Sequence, residues 1–108
     1  MKPLSILIVD DDRDFGQSLA NFLRLDGHEV ELAFDGEAAV ENFRARDFDA
    51  AFLDVMLPGM NGVESFLEIR KVKPDAKVFM MTGFSVEELL RKAMDGGAVG
   101  VFHKPLDL

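Results

Sequence analysis

AAFLDVMLPGMNG, at residues 50–62, is the stretch of sequence that decides the fold. Four apolar residues lead directly into one carboxylate, Asp54, and Pro58 and Gly59 then break the run. A short apolar run that ends at turn-forming residues is typical of a strand buried in a parallel sheet. Asp54 would therefore lie at the carboxyl end of that strand, which is where open α/β sheets bind ligands. The same aspartate could also simply begin a turn, so this stretch alone leaves two interpretations open.

The rest of the chain alternates short strands with amphipathic helices. Strands are predicted from Leu4 to Val9, from Glu29 to Ala33, up to Asp54, from Val78 to Met81 and from Gly100 to His103. Apolar residues spaced three or four apart predict helices between them: Phe15, Leu19, Phe22 and Leu23; Ala39, Val40 and Phe43; Val63, Phe66, Leu67 and Ile69; Val86, Leu89, Leu90, Ala93 and Met94. This alternation favours right-handed βαβ units. We therefore predict a doubly wound α/β fold, flavodoxin-like, with five parallel strands in the order 2-1-3-4-5.

Polar side chains follow four of the predicted strands and should meet at one edge of the sheet. In the predicted order, the switch point lies between the first and third strands, which brings Asp10 and Asp11 beside Asp54. The fourth and fifth strands deliver Thr82 and Lys104 to the same edge. Three close carboxylates repel one another unless a cation joins them, and oxygen ligands suit Mg²⁺. With a lysine to meet phosphate oxygens, the assembly predicts phosphoryl transfer onto a carboxylate.

These residues, in this order, resemble the receiver domain of two-component response regulators, and in particular the chemotaxis regulator. The resemblance rests on VDD at 9–11, LD at 53–54 with Pro58 and Gly62 after it, MTG at 81–83 and KP at 104–105. It spans essentially the whole chain, so residues 1–108 are interpreted as one receiver domain. It implies a signalling domain without turnover on small substrates. The expected partner is a sensor histidine kinase or a histidine phosphotransfer protein.

The resemblance also implies a role for each acidic residue of the site. Asp54 would be the phosphoacceptor, taking the phosphoryl group from a histidine of the kinase. Asp11 and Asp54 would ligate Mg²⁺ (or Mn²⁺) directly, together with the backbone carbonyl of Met56. Asp10 would act mainly through a metal-bound water.

Thr82 and Lys104 are implied to hold the phosphoryl oxygens, and the Lys104–Pro105 peptide is implied to be cis. Asp12 has an ordinary role instead, because aspartate is strongly preferred as the residue that caps a helix N-terminus. Ser85 with Glu88 three positions later predicts a capping box at the start of the fourth helix.

Two departures from the family pattern concern the switch and the lifetime of the phosphoryl group. Val101 stands where receivers usually carry a tyrosine or phenylalanine that turns inward on phosphorylation, and a β-branched valine is stiff. Phe102 follows, but alternation along a strand should point it to the opposite face. The switch is therefore expected to rest on Thr82 and on the loop that contains Phe84. Because Met56 and Phe84 are both apolar and sizeable, we also expect a long-lived phosphoryl group.

Other proteins use a strand-end aspartate or the same architecture. A phosphatase of the haloacid dehalogenase class needs a second aspartate two residues after its nucleophile, and here that residue is Met56. A flavodoxin-like carrier needs a phosphate-binding loop after the first strand, where this chain has three carboxylates that would repel phosphate. A degenerate receiver that serves only as a binding module is disfavoured because all five site positions are filled.

Composition narrows the remaining possibilities. The chain has 108 residues, a net charge of −8 and no cysteine. The negative charge argues against nucleic-acid binding by this chain alone, since phosphate contacts need lysine and arginine. Without cysteine there is no disulfide framework, and no apolar run is long enough for a membrane span. We therefore expect a cytoplasmic protein.

The end of the sequence is the last departure. Receivers carry a fifth helix after the Lys-Pro segment, and this sequence stops at Leu108. We expect a truncated piece of a longer chain, with the C-terminal helix missing. The uncovered sheet face would then be marginally stable or would form a homodimer, because losing three or four large apolar contacts removes about 5–10 kcal/mol.

Overall fold

The computed structural model describes residues 2–83 and 87–104, and its centre is a five-stranded parallel sheet. The strands are β1 (Ser5–Val9), β2 (Glu29–Ala33), β3 (Ala50–Asp54), β4 (Val78–Thr82) and β5 (Gly100–His103). Their order is β2-β1-β3-β4-β5, and every neighbouring pair is parallel. The predicted fold class, strand order and strand positions are confirmed.

Within the described residues, four helices connect the strands. They are α1 (Arg13–Leu25), α2 (Gly36–Ala45), α3 (Gly62–Val72) and α4 (Glu87–Asp95). Asp12, Asp35 and Asn61 cap the first three, each accepting a hydrogen bond from the third residue of its helix. The N-cap predicted at Asp12 is thus confirmed. Within residues 2–83 and 87–104, β5 is the last element. Ser85, Val86 and Pro105, on which a capping box, a helix contact and a cis peptide were predicted, lie outside the described residues.

Residues from opposite faces of β1, β2, β3 and β4 enter two different cores. In β1, Leu7 and Val9 belong to the larger core, whereas Ile6 and Ile8 belong to the smaller one. The larger core joins the sheet to α2, α3 and α4, and the smaller core joins it to α1. This two-sided burial explains why the strands are nearly continuous apolar runs instead of alternating ones.

Some residues predicted to lie on buried helix faces are exposed. Phe22 and Met94 are each 45% exposed, and Leu67 is also exposed. In α1 the buried residues are Gly16, Leu19 and Ala20, so Phe22 lies at the edge of the buried stripe, about 100° from its centre. The predicted stripe was therefore too wide, because spacing alone does not fix which direction the helix turns toward the sheet.

Candidate functional site

The register of the central strands places the predicted site residues at one edge of the sheet. Val9 pairs with Leu53 across β1 and β3, so Asp10 and Asp54 follow paired residues at the carboxyl ends of adjacent strands. Asp54 in turn pairs with Met81, and Thr82 pairs with His103, the residue before Lys104. One parallel register thus carries residues from four strands to the same edge.

Three carboxylates form a cluster at this edge. Asp10, Asp11 and Asp54 each offer a carboxylate oxygen, and these oxygens lie within 4.8 Å of one another. Asp10 is 1% exposed and Asp54 is 6% exposed, whereas Asp11 lies at the surface. The cluster therefore combines two buried charges with one that faces water.

Lys104 lies against the two buried carboxylates. Its ammonium nitrogen is 2.6 Å from Asp10 Oδ2 and 2.9 Å from Asp54 Oδ2. Its backbone N–H donates to the carbonyl oxygen of Thr82 at 2.8 Å, which fixes the start of the segment after β5. Thr82 itself is fully buried at the end of β4.

Backbone N–H groups hold the other oxygen of each buried carboxylate. Asp10 Oδ1 accepts from the N–H of Asp12 at 3.0 Å, and Asp54 Oδ1 accepts from the N–H of Met56 at 3.0 Å. Both contacts join an aspartate to the amide two residues later, a turn that aspartate favours. Each buried carboxylate is thus oriented by its own loop, with its second oxygen directed to Lys104.

Gly62 allows the loop after β3 to fold back onto this strand. A Cβ atom at position 62 would lie 1.9 Å from the backbone oxygen of Asp54. The Gly62 N–H donates to the carbonyl of Val55 at 2.8 Å. A larger residue at this position would displace the strand end that carries the phosphoacceptor candidate.

For both Asp10 and Lys104, burial and hydrogen bonding shift the pKa in opposite directions. Burial is the largest influence on Asp10 and raises its pKa, against the lowering effect of the Lys104 hydrogen bond. The charge of Asp54 adds a smaller upward shift of the Asp10 pKa. For Lys104, burial lowers the pKa, but the hydrogen bonds to Asp10 and Asp54 outweigh it, and the net pKa is raised. Lys104 is therefore charged at neutral pH. The raised pKa of Asp10 therefore arises mainly from burial, with repulsion by Asp54 as a smaller cause.

Comparison with known families identifies the chain. The family model of the response regulator receiver domain matches residues 6–108. The chain belongs to this family. The receiver domain is a signalling domain of two-component systems, and the resemblance found in the sequence is thereby confirmed.

Curated relatives of this receiver domain are longer proteins. It is 36% identical over 105 residues to a cyclic di-GMP phosphodiesterase of Thermotoga maritima, covering 97% of this chain and 28% of the relative. It is 38% identical over 104 residues to the transcriptional regulatory protein ZraR of Escherichia coli O157:H7, covering 96% of this chain and 24% of the relative. The chain thus spans about a quarter of the length of these two relatives.

Solved structures show the same fold. A CheY-like receiver domain protein from Methanospirillum hungatei superposes with a TM-score of 0.93 at 31% identity, covering 98% of this chain and 85% of that chain. The CheX–CheY–BeF₃–Mg²⁺ complex from Borrelia burgdorferi matches with a TM-score of 0.90 at 30% identity, covering 97% and 81%. A Burkholderia pseudomallei response regulator, solved with a phosphorylated aspartic acid, a calcium ion and citrate, gives 0.88 at 25%, covering 94% and 60%.

The acidic cluster of this receiver domain fits a divalent cation. Its donors are carboxylate oxygens from the ends of β1 and β3, the donor type that Mg²⁺ and Ca²⁺ prefer. Two of the three carboxylates already form ion pairs with the Lys104 ammonium, so the cluster interacts with positive charge. The cluster can therefore hold a metal ion.

The two sides of β5 differ as the sequence predicted. Val101 is half-buried and packs against the larger core. Phe102 lies on the opposite face, with ring centroids 5.9 Å from Phe52 and 5.6 Å from Phe79. Phe84, the other predicted switch residue, lies outside the described residues.

Several contacts within the site were not predicted from the sequence. The amides of Asp12 and Met56 that orient the carboxylates were not predicted, although aspartate followed by a turn is a sequence signal for such contacts. Phe15 was predicted only as a core residue, but its ring lies 4.5 Å from the Lys104 ammonium. No spacing signal links residues 15 and 104, because only the tertiary fold brings them together.

Among residues 2–83 and 87–104, none of the helices is long and apolar enough to cross a bilayer.

Proposed function

We propose that this receiver domain is the phosphoacceptor of a response regulator, and that Asp54 takes the phosphoryl group. The donor would be a phosphohistidine of a sensor kinase or of a histidine phosphotransfer protein. The observation that carries the proposal is the Lys104 ammonium, which bridges Asp10 and Asp54 inside a three-carboxylate cluster. A cation and several carboxylates around one reactive oxygen suit phosphoryl transfer, which depends mainly on positioning and charge neutralisation.

The proposed step is a displacement at phosphorus. An Asp54 carboxylate oxygen forms a bond to phosphorus while the bond from phosphorus to the histidine nitrogen breaks, and the electron pair leaves with the imidazole. The Met56 amide holds Asp54 Oδ1 during this step. Lys104, already 2.9 Å from Asp54 Oδ2, would pair with a phosphoryl oxygen, and Thr82 would donate to another.

Mg²⁺ (or Mn²⁺) is the proposed cofactor, and it would neutralise charge on the transferred oxygens. Asp10, Asp11, Asp54 and the backbone carbonyl of Met56 would hold it. The mutual approach of the three carboxylates and the burial of Asp10 and Asp54 support this set. Further support comes from the Borrelia burgdorferi complex, whose name includes Mg²⁺, and the Burkholderia pseudomallei protein, which was solved with a phosphorylated aspartic acid.

Regulation is proposed to work through the switch and not through turnover. Residues 1–108 would act as one receiver unit that presents a changed interaction face after phosphorylation, without hydrolysing small phosphate esters. Met56 is exposed and apolar two residues after Asp54, so it would disfavour an attacking water and extend the phosphoryl lifetime. A phosphoryl half-life of only seconds would count against this part. The cytoplasmic location stays a prediction.

We also propose that the protein forms a homodimer, because one specific surface favours self-association. The rings of Phe52 and Phe79 stack with centroids 5.4 Å apart, and Phe102 joins them while remaining 42% exposed. Phe102 thus extends an apolar surface that it forms with the half-buried Phe52 and Phe79, and contiguous apolar surfaces mark sites of protein–protein contact. Sedimentation of wild type and Phe102→Ser tests it: a dimer that the substitution dissociates supports the surface, and a wild-type monomer rejects it.

The central proposal is tested by incubation with acetyl phosphate and Mg²⁺ followed by intact mass measurement. We expect the wild type to gain one phosphoryl group and Asp54→Ala to gain none. Asp47→Ala is the matched control, because Asp47 also pairs with a lysine but lies away from the site. It should gain the group as wild type does. An unmodified wild type, or a modified Asp54→Ala, would overturn the proposal.

A further inference from the structure

Phe15 connects the smaller core to the functional site. It lies in the first turn of α1 and packs, half-buried, against the cluster that contains Ile8 and Leu19. Its ring also contacts the functional site, because the Lys104 ammonium nitrogen lies over the ring, 4.5 Å from its centroid. A cation within about 6 Å of a ring centroid is attracted by the negative face of the aromatic ring.

Among the described residues, the Lys104 ammonium has three partners, which are two carboxylates and one aromatic ring. An ammonium carries three N–H groups, and Asp10 and Asp54 account for two of them at 2.6 and 2.9 Å. The ring of Phe15 supplies the third contact. Because core packing restrains the ring, this contact holds the ammonium at little additional entropic cost.

We propose that Phe15 is a positioning residue, which holds the Lys104 ammonium between Asp10 and Asp54 and so strengthens its competition with a divalent cation for these carboxylates. The carboxylates that bind the ammonium belong to the cluster able to hold a metal ion. An interaction that stabilises the ammonium in its bridging position therefore opposes metal binding. The same interaction keeps Lys104 ready beside Asp54, a consequence that rests on the proposed function.

This assignment predicts opposite effects on two measurable quantities. Without the aromatic ring, Lys104 competes less well, so Mg²⁺ should bind about two- to fivefold more tightly, the fold-change that matches a partly exposed cation–π contact. Phosphorylation by acetyl phosphate should become slower by a similar factor, because the lysine is held less firmly. A role in core packing alone would weaken both Mg²⁺ binding and phosphorylation.

The first arm of the test needs no metal. The side-chain protons of Lys104 beside the ammonium should be shifted upfield in the NMR spectrum by the Phe15 ring. Phe15→Leu should abolish this shift and Phe15→Tyr should preserve it. Phe22→Leu is the matched control, since Phe22 lies on the same flank of α1 two turns further along and is largely exposed; it should leave the shift unchanged. Lys104 protons without an upfield shift in the wild type would overturn the inference.

The second arm measures Mg²⁺ binding by titration calorimetry. Phe15→Leu should bind about two- to fivefold more tightly than wild type, and Phe15→Tyr should restore the wild-type affinity. In a Lys104→Met background, Phe15→Leu should have no effect, because the competing charge is gone. Weaker binding in Phe15→Leu, or an equal effect in both backgrounds, would contradict the inference. A wild type that binds no Mg²⁺ would refute the proposed cofactor and leave the metal-free arm to decide the role of Phe15.

Discussion

Two lysine–carboxylate pairs, at opposite edges of the sheet, have the same nitrogen–oxygen distance. Lys104 lies 2.6 Å from Asp10 at the carboxyl ends of the strands, and Lys73 lies 2.6 Å from Asp47 near their amino ends. The Asp10 side chain is 0% exposed, whereas the Asp47 side chain is 85% exposed. The two pairs therefore have the same nitrogen–oxygen distance and differ in how deeply the carboxylate is buried.

The pKa values of the two carboxylates move in opposite directions for this reason. Burial raises the pKa of Asp10, and the Lys104 hydrogen bond only partly offsets it. The Lys73 hydrogen bond is the main influence on Asp47 and lowers its pKa, because water still solvates that carboxylate. The electrostatics of an ion pair near a reactive site therefore depend on its environment more than on its length.

The largest expected difference between the two pairs is in phosphorylation. Lys104→Ala removes the cation beside Asp54 and should slow phosphorylation by acetyl phosphate about 100-fold, the typical loss when one charge-stabilising donor is removed. Lys73→Ala should leave the rate unchanged. Time courses of intact mass measure both. Equal rates for the two variants would remove the functional distinction between the pairs.

The next largest expected difference between the two edges of the sheet is in stabilisation by Mg²⁺. At ten times its Kd, Mg²⁺ should raise the free energy of unfolding by about 1.4 kcal/mol through linkage, which is about 5–8 °C in Tm. Asp11→Asn should lose this gain, because it removes one oxygen donor of the cluster. Asp47→Asn should keep it in full. Thermal unfolding with and without Mg²⁺ is the measurement, and a gain that survives in Asp11→Asn would place the ion elsewhere.

Removing one buried negative charge should stabilise the metal-free protein. The folded pKa of Asp10 is raised above its unfolded value of 3.8. Its contribution to stability is therefore favourable below pH 3.8 and is lost as the pH rises through the folded pKa. At pH 7 without metal, Asp10→Asn should raise the free energy of unfolding, because it removes a buried charge whose burial the Lys104 hydrogen bond only partly offsets.

Urea unfolding at pH 4 and pH 7 checks this prediction. The stabilisation by Asp10→Asn should be smaller at pH 4, and added Mg²⁺ should reverse its sign at pH 7, because the wild type alone then binds the ion fully. A variant less stable than wild type in metal-free buffer at pH 7 would show that the Lys104 contact outweighs the burial of the charge.

The smallest expected effect is that of the exposed Lys73–Asp47 pair on the free energy of unfolding. The folded pKa of Asp47 is lowered, so its contribution is present above pH 3.8 and lost as the pH falls through the folded value. Asp47→Asn should lower stability slightly at pH 7 in low salt and not at all in 1 M salt, because exposed charges are screened. Urea unfolding at the two salt concentrations measures it. A salt-independent loss would mean that this pair, too, is shielded from water.

Most of the fold could be predicted because its signals are local. Apolar runs that end in Asp10, Asp54 or Thr82 gave strand positions accurate to one residue. The errors lie at the borders of helix faces, as at Phe22 and Met94, where spacing cannot tell whether a flanking residue meets the sheet or water. Packing decides that point, and packing involves residues distant in sequence.

The site was predictable in membership but not in its internal contacts. Parallel topology alone brought Asp10, Asp54 and Lys104 to one edge. The sequence did not predict that Lys104 bridges the two aspartates, nor that Phe15 lies against its ammonium. These contacts depend on side-chain directions at the ends of separate elements, which no local pattern specifies.

By itself, the sequence determined the alternation of strands and helices, the residue types at each strand end and the family. These follow from periodicity, turn residues and short motifs, all of which act over a few neighbouring positions. Only the tertiary structure decided how deeply each charge is buried and which cation it meets, since Lys104 and Asp10 are 94 residues apart. The physical reason is that solvation and electrostatics depend on everything packed around a group, and that environment exists only once the sheet and helices have assembled.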